Sequence, residues 1–450
     1  MTLVWCELAL VDGRAQRDVA IEIVDSRFAS VDAGVGIERL AGDTTRLIGF
    51  TIPGLANSHS HAFHRALRSR TQADHGTFWT WRDVMYRAAE RLTPDLYHRL
   101  ARATFAEMAL AGVTCVGEFH YLHHQPGGTQ YDDPNAMGEA VLSAADEVGI
   151  RITLLDTLYL HGGSGPDGYG EPTSVQRRFC DTSADAWIDR VDRLAASETR
   201  RIGGAIHSVR AVDPRSARCV GEWAVSQGAP IHAHVSEQVA ENDACRAQHG
   251  VTPLQLLADA GMLSERFSAV HATHVAPGDI ALLAAAGSTV VVCPTTERDL
   301  GDGIGPTHEF AEAGVAMALG SDSHAVIDLF EEALAVELDQ RLRSRRRGVH
   351  NALDLLSMAT ANGHRSLGWD DAGTISVGNR ADLVTVSLDS VRTAGTTRAT
   401  ATEAAVFAAT ASDVTDVVVD GRHIVTGGHH FEIDASAELD ASIKALMPHD

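Results

Sequence analysis

The feature that most limits how this chain can fold is a repeated alternation in its middle. Between positions 47 and 322, apolar runs each long enough for one strand recur, separated by Ala-, Leu- and Glu-containing stretches long enough for helices. The runs are LIGFTIPGLA, VTCVGEFH, IRITLLDTLYL, IGGAIHSVRA, APIHAHVSE, FSAVHATH, STVVVCPT and VAMALGSD, with spacers such as LYHRLARATFAEMALAG and ALLAAAG. Strand-like runs alternating with helical patterns predict parallel strands joined by crossover helices. Eight such units predict an α/β fold, a (β/α)8 TIM barrel.

The two ends read differently. Residues 1–52 alternate short β-like runs (LVWCELALVD, DVAIEIVDSRFASVDAGV, TRLIGFTIP) with turn residues, and after position 370 the chain returns to short strands, with an Asp420–Gly421 turn suited to a hairpin. Both ends are therefore expected to form one small β-sandwich domain. Residues 1–52 would supply its N-terminal strands, residues 53–368 the barrel with its metal centre, and residues 369–450 the C-terminal strands completing the β-sandwich and a terminal helix.

A formal net charge of −23 argues against nucleic acid as a partner, because the far field repels a polyanion. The one basic run, Arg341 to Gly348, reads as a solvated helix end. Six cysteines with no C-x-x-C pair point neither to a disulfide framework nor to a thiolate metal site. There is no basic n-region before the first apolar run and no apolar stretch of membrane-spanning length, so the expectation is a cytoplasmic protein without a membrane partner.

Polar chemistry sits at nearly every strand end: His59 and His61 after the first, Glu118, His120 and Tyr121 after the second, and His207 and Arg210 after the fourth. His234 and Glu237 follow the fifth, His271 and His274 the sixth, Thr295 and Glu297 the seventh, and Asp322 and His324 the eighth. In such barrels the site is built from strand C-termini, so these groups should converge. His59 and His61 lie on one face of an extended chain while Ser60 points away, which makes a two-imidazole clamp for a divalent transition metal such as zinc. His234 with Glu237 three residues on, His271, and Asp322 after small residues extend the pattern to a set of donors, with a carboxylate available as ligand or base. His232 shares the face of His234 and is an alternative ligand; His234 is preferred because it lies nearer the strand end and pairs with Glu237. His123, His124 and His274 are read as supporting or structural.

These residues resemble the amidohydrolase superfamily. The stretches HSHAFHRA, FWTWRDVMYR, EFHYLHH, HSVRAV, HAHVSEQ, VHATH, TERDLGDG and GSDSH resemble, more narrowly, its N-formimino-L-glutamate deiminases of bacterial histidine degradation. The resemblance implies one zinc ion held by His59, His61, His234 and Asp322, with Glu237 and His271 beside the attacked carbon. It implies Arg82, Tyr121, His207 and Arg210 as contacts to a small substrate with two carboxylates, and a homodimer. His64 stands where the family often has Gln, so an imidazole would have to replace part of that amide's hydrogen bonding.

In this scheme Glu237, His271 and Asp322 are catalytic: Asp322 accepts the proton of the attacking water, Glu237 protonates the departing nitrogen, and His271 stabilises the developing charge. An Arg fork suits a carboxylate, so Arg82 and Arg210 would take one each. Alternatively, Arg82 is a surface residue on an aromatic-rich loop with Phe78, Trp79 and Trp81, its guanidinium stacked on a ring. Two rival functions stay open: deamination of a heterocycle such as guanine or a purine nucleoside derivative, and a non-catalytic barrel that binds a metal or ligand. Arginines without a partner in a neutral base weigh against the first, and a proton shuttle that a binding protein does not need weighs against the second.

Overall fold

The computed structural model describes residues 2–40, 42–72 and 78–447. Its centre is an eight-stranded sheet in chain order. The strands are Leu55–Ser60, Val113–His120, Arg151–Leu158, Arg200–Ile206, Ile231–Val235, Phe267–His271, Thr289–Val292 and Ala316–Leu319, and every adjacent pair is parallel. The second and third are buried at every position, as strands covered on both faces by helices and barrel core must be. The sheet closes on itself: Ser60 and Asp322 form a parallel bridge, the Asp322 N–H donates to the His59 carbonyl at 3.0 Å, and the His61 N–H donates to the Asp322 carbonyl at 3.3 Å.

One expected strand divides. LIGFTIPGLA is not a single barrel strand: Thr45–Pro53 belongs to the second sheet, and Leu55–Ser60 opens the barrel. The crossing falls at Gly54, where an added Cβ would lie 2.7 Å from Asp382 Cβ, so only glycine lets the chain pass between the sheets there. Apart from Ile48 both halves of the run are buried, and unbroken apolarity hides a change of sheet.

The second sheet also has eight strands: Thr2–Val11, Arg14–Val24, Arg27–Asp32, Thr45–Pro53, Leu383–Val386, Val414–Val419, Arg422–Thr426 and His429–His430. The two chain ends meet where Thr45–Pro53 pairs antiparallel with Leu383–Val386, so the strands of the two ends form one continuous hydrogen-bonded sheet with its own core around Val4, Val19, Phe28, Leu47 and Leu383. Asp420 and Gly421 both take positive φ, 50° and 78°, as a two-residue hairpin turn requires. Helix Ala435–Leu446 packs on helix Pro94–Leu110. The basic run closes helix Leu329–Ser344, with Arg341 on Glu337 at 2.7 Å and Arg343 on Glu309 at 3.0 Å. Among the described residues, no helix is long and apolar enough to cross a membrane.

Barrel and second sheet are joined through a buried charge cluster. Arg151, fully buried on the third barrel strand, donates to Asp382 Oδ1 at 2.9 Å and to Asp420 Oδ1 at 3.0 Å. Removing the guanidinium strands the Asp382 carboxylate in the interior. Arg151→Ala is therefore expected to lower unfolding free energy by about 3–5 kcal/mol, read from denaturant melts followed by circular dichroism.

Candidate metal centre

The strand ends bring four donor groups together. His59 Nε2 and His61 Nε2 each lie 3.3 Å from Asp322 Oδ1, and His234 Nε2 lies 3.2 Å from His59 Nε2. His271 Nε2 is 3.9 Å from Asp322 Oδ2. His59, His234, His271 and Asp322 each offer a ligand atom within 4.8 Å of the others, and His61, His64 and Asp322 form an overlapping trio. The close approach at the seam depends on Gly320, where a Cβ would lie 2.7 Å from His59 Cβ.

Tautomers decide whether a cation fits. His61 Nδ1 lies 3.0 Å from the Phe119 carbonyl and His234 Nδ1 lies 2.9 Å from the His207 carbonyl. A carbonyl only accepts, so both Nδ1 atoms carry the proton and both Nε2 atoms present lone pairs. Burial keeps these rings neutral, pushing His59 down to about 3 and lowering His61 and His234 as well. The His61 lone pair therefore faces a carboxylate oxygen at 3.3 Å, acceptor against acceptor. A divalent cation resolves that repulsion, and three imidazole nitrogens with one carboxylate oxygen form a donor set that suits a transition metal.

The backbone around the donors is strained. Ser236, His271, Ala272, Asp322 and His324 all take positive φ, between 40° and 68°, at the ends of the fifth, sixth and eighth barrel strands. Each such non-glycine residue costs roughly 1–3 kcal/mol and persists only where its surroundings over-determine it.

Beside this centre stand Glu237 and His271, with His271 Nε2 at 4.0 Å from Glu237 Oε1. His271 Nδ1 faces Glu297 Oε1 at 3.4 Å, and the same oxygen accepts the Cys293 N–H at 3.0 Å. Burial alone would lower the His271 imidazole, but Glu237, Glu297 and Asp322 outweigh it and hold it cationic, raised to about 10. From sequence, Glu297 is one more strand-end group with no assigned role; its position in TERDLGDG, after the seventh strand, was the available signal.

A cavity of about 350 Å³ opens over the donors, and His64, Arg82, Tyr121, His207, Arg210, Glu237, His271 and Asp322 all line it; His59 lies behind. His64 Nε2 is 2.9 Å from the Tyr121 hydroxyl. Arg82 lies on helix Phe78–Arg91 rather than on a loop, and its guanidinium sits over the Tyr86 ring at 5.4 Å. The side chains of Phe78 and Trp79 fall outside the described residues. Arg210 is not a lone cation: Glu237 lies 3.7 Å away and Glu241, which sequence reading missed, 3.6 Å. Glu241 lies in the first turn of helix Val239–His249, four residues after Glu237, and no sequence pattern marks it as the partner of Arg210.

Other histidines stay apart. His232 Nε2 is 3.0 Å from the Ser366 carbonyl and does not line the cavity, whereas His234 does. His124 and His274 bond the carbonyls of Cys180 and Asp302. His120, His123 and Asp156 form a third cluster of metal-ligand type, but Asp156 already accepts both terminal nitrogens of Arg190, at 2.7 and 2.8 Å, and the Trp187 indole at 2.9 Å. Its charge is matched without an ion. Glu118, expected to converge with the strand-end groups, lies behind His61 and outside the cavity.

Comparison with known proteins agrees with this architecture. The amidohydrolase family model matches residues 50–424. A formimidoylglutamate deiminase from Pseudomonas aeruginosa is 36% identical over 97% of this chain and 97% of its own. A 5-methylthioadenosine/S-adenosylhomocysteine deaminase from Natronomonas pharaonis is 30% identical over 86% of this chain and 84% of its own. The crystal structure of an amidohydrolase from Brucella melitensis superposes with a TM-score of 0.89 at 31% identity, covering 99% of this chain and all of that one.

If these donors hold the metal, Asp322→Ala and His234→Ala should each leave less than about a tenth of the metal content of the unmodified protein after desalting. Elemental analysis measures that loss, and an unchanged far-ultraviolet spectrum shows that the barrel has survived it.

Proposed function

The chain belongs to the amidohydrolase family and is a metal-dependent hydrolase acting on a non-peptide C–N bond; we propose that its metal is one zinc ion and its reaction the hydrolysis of N-formimino-L-glutamate to N-formyl-L-glutamate and ammonia. What carries this reading is the lining of the cavity, where a proton-transfer pair, Glu237 and His271, stands beside Asp322 and two guanidiniums occupy the wall. The match to the Pseudomonas aeruginosa deiminase over nearly the whole chain supports it.

Zinc fits the three-nitrogen, one-oxygen donor set of His59, His61, His234 and Asp322, and when bound it supplies a nucleophile at neutral pH by lowering the pKa of coordinated water to about 7. Asp322, held ionised against burial chiefly by its contact with His59 and by cationic His271, accepts the proton of the attacking water. The new bond joins the water oxygen to the formimino carbon. Cationic His271, its Nε2 turned towards both Glu237 and Asp322, donates to the charge that builds on the heteroatoms bonded to that carbon. Both water protons end on the imino nitrogen: the one held by Asp322, and the hydroxyl proton of the adduct carried by Glu237; as the carbonyl forms, the C–N bond breaks and ammonia leaves.

The substrate is a dianion, and a protein of net charge −23 repels it at long range. Short-range cations must compensate. Arg210 is aimed by Glu237 and Glu241, and Arg82 by its stacking on Tyr86; each then meets one carboxylate, while His64, Tyr121 and His207 add hydrogen bonds. The His64–Tyr121 contact leaves His64 Nδ1 without a partner, so this imidazole can serve where the family often places an amide.

Two measurements test the reading. Zinc-loaded protein should release ammonia from N-formimino-L-glutamate and not from guanine or adenosine derivatives; the reverse would install the heterocycle deaminase, and inertness to the whole panel the binding barrel. In steady-state kinetics, Glu237→Gln should lower kcat by roughly 100- to 10,000-fold with zinc retained, whereas Arg210→Ala should raise KM roughly 10- to 100-fold.

A further inference from the structure

Both neighbours of His61 are tied to a single carboxylate. Ser60 Oγ donates to Glu118 Oε2 at 2.6 Å, and the Ala62 backbone N–H donates to Glu118 Oε1 at 2.7 Å. The Tyr97 hydroxyl, from helix Pro94–Leu110, donates to the same Oε1 at 3.3 Å. Glu118 is completely buried, and each of these donors is uncharged. Burial pushes its carboxyl up to about 7 against the pull of these hydrogen bonds. Burying a carboxylate without a cation is expensive, and an apolar side chain would fill the space at lower cost if packing were the only need.

The geometry gives that carboxylate a use. In the extended segment His59–Ser60–His61 the two rings face Asp322 and the Ser60 hydroxyl faces the opposite way, towards Glu118 on the neighbouring strand. The next residue of that strand, Phe119, offers the carbonyl that faces His61 Nδ1 at 3.0 Å. Strand two thus holds His61 at three points: its ring, the side chain before it and the backbone after it. The network continues behind the seam. Ser60 Oγ is 3.2 Å from His324 Nε2, His324 Nδ1 is 3.0 Å from Ser321 Oγ, and Ser321 exchanges hydrogen bonds with Asn57 at 2.6 and 3.0 Å. Ser321 immediately precedes Asp322, so the network reaches the backbone on both sides of the barrel closure.

We propose that Glu118 is a positioning residue for the metal centre, straddling His61 from behind so that its Nε2 is presented in the coordinating orientation before any metal arrives. This inference rests on the metal reading of His61 but not on the identity of the substrate. Ligand groups held in this way typically lose 10- to 100-fold in metal affinity when the supporting group is removed.

The test is zinc titration of the apoprotein against a chromophoric chelator, for the unmodified chain, Glu118→Ala, Glu118→Gln and Ser60→Ala, with the Tm of each apo form measured alongside. Glu118→Ala should bind zinc about 10- to 100-fold more weakly, and Ser60→Ala about 3- to 10-fold more weakly. Glu118→Gln should stay within about threefold, because an amide still accepts from the Ala62 N–H and can donate to Ser60 Oγ. Zinc affinity unchanged in Glu118→Ala, with only its apo Tm lowered, would make Glu118 a scaffold residue and overturn the proposal, and a Gln variant as weak as the Ala variant would overturn the geometric account. Should Glu118→Ala fail to fold, Ser60→Ala decides alone, and wild-type zinc affinity there is the refuting result. An unmodified protein that binds zinc yet leaves N-formimino-L-glutamate intact would sink the substrate assignment and leave this inference standing; one that binds no zinc would sink both.

Discussion

The barrel closes through Asp322 N–H on the His59 carbonyl and His61 N–H on the Asp322 carbonyl, and the side chains of those three residues are three of the proposed metal ligands. Closure and coordination are thus one structural event. The eighth strand, Ala316–Leu319, is short, and the seam lies beyond it, where the chain has already turned into positive φ at Asp322. Such a seam is strained when alone, with lone pairs facing a carboxylate. A ligand that binds only the closed form returns stability in proportion to RT ln(1 + [L]/Kd), so a metal held at this point would stabilise the barrel at its closure. Gly320 belongs to the same economy of space, since a side chain there would push His59 off the seam.

The same burial that keeps His59, His61 and His234 neutral leaves His271 cationic, and the difference lies in the carboxylates around each ring. His271 has Glu237, Glu297 and Asp322 within 4.0 Å, whereas the Nδ1 atoms of His61 and His234 face backbone carbonyls. The centre therefore contains two kinds of imidazole: neutral rings and a cationic one beside them. Asp302, held nearby by Gln238, is pushed up to about 8 by burial and by Glu237, which reflects how much negative charge is concentrated here. A divalent cation completes the charge balance that Arg210 and His271 begin.

Much of this was legible in the sequence because strand periodicity and barrel topology are both local rules. The parity of His59, Ser60 and His61 predicted which side chains face inward, and placing His234, His271 and Asp322 at strand ends was enough to bring them to one rim. What failed needed pairwise geometry. LIGFTIPGLA stays apolar across a change of sheet, so hydropathy could not divide it at Gly54. His232 shares the parity of His234 yet lies one layer deeper, and depth along a barrel axis is not written in alternation. Glu118 lies near the end of its strand as expected but faces outward, because it lies one residue before Phe119, whose ring packs against His59 and His61. Glu241 and Glu297 take their meaning from Arg210 and His271, partners brought near only by the closed fold.

The pairing of Arg210 with Glu237 and Glu241 bears on selectivity. A guanidinium with no neighbouring carboxylate would attract any anion, water-borne phosphate included, and would be free to swing across the cavity. Held between two carboxylates at 3.7 and 3.6 Å, neither close enough for a short hydrogen bond, it keeps its direction but surrenders part of its field. A ligand then gains by completing the guanidinium's hydrogen bonds in a fixed plane, which rewards a carboxylate presented edge-on at one distance from the reacting carbon and penalises the same charge placed elsewhere. For the dianion proposed as substrate, Glu241 would trade affinity for registration, and the acidic lining would favour one placement of the carboxylate over others.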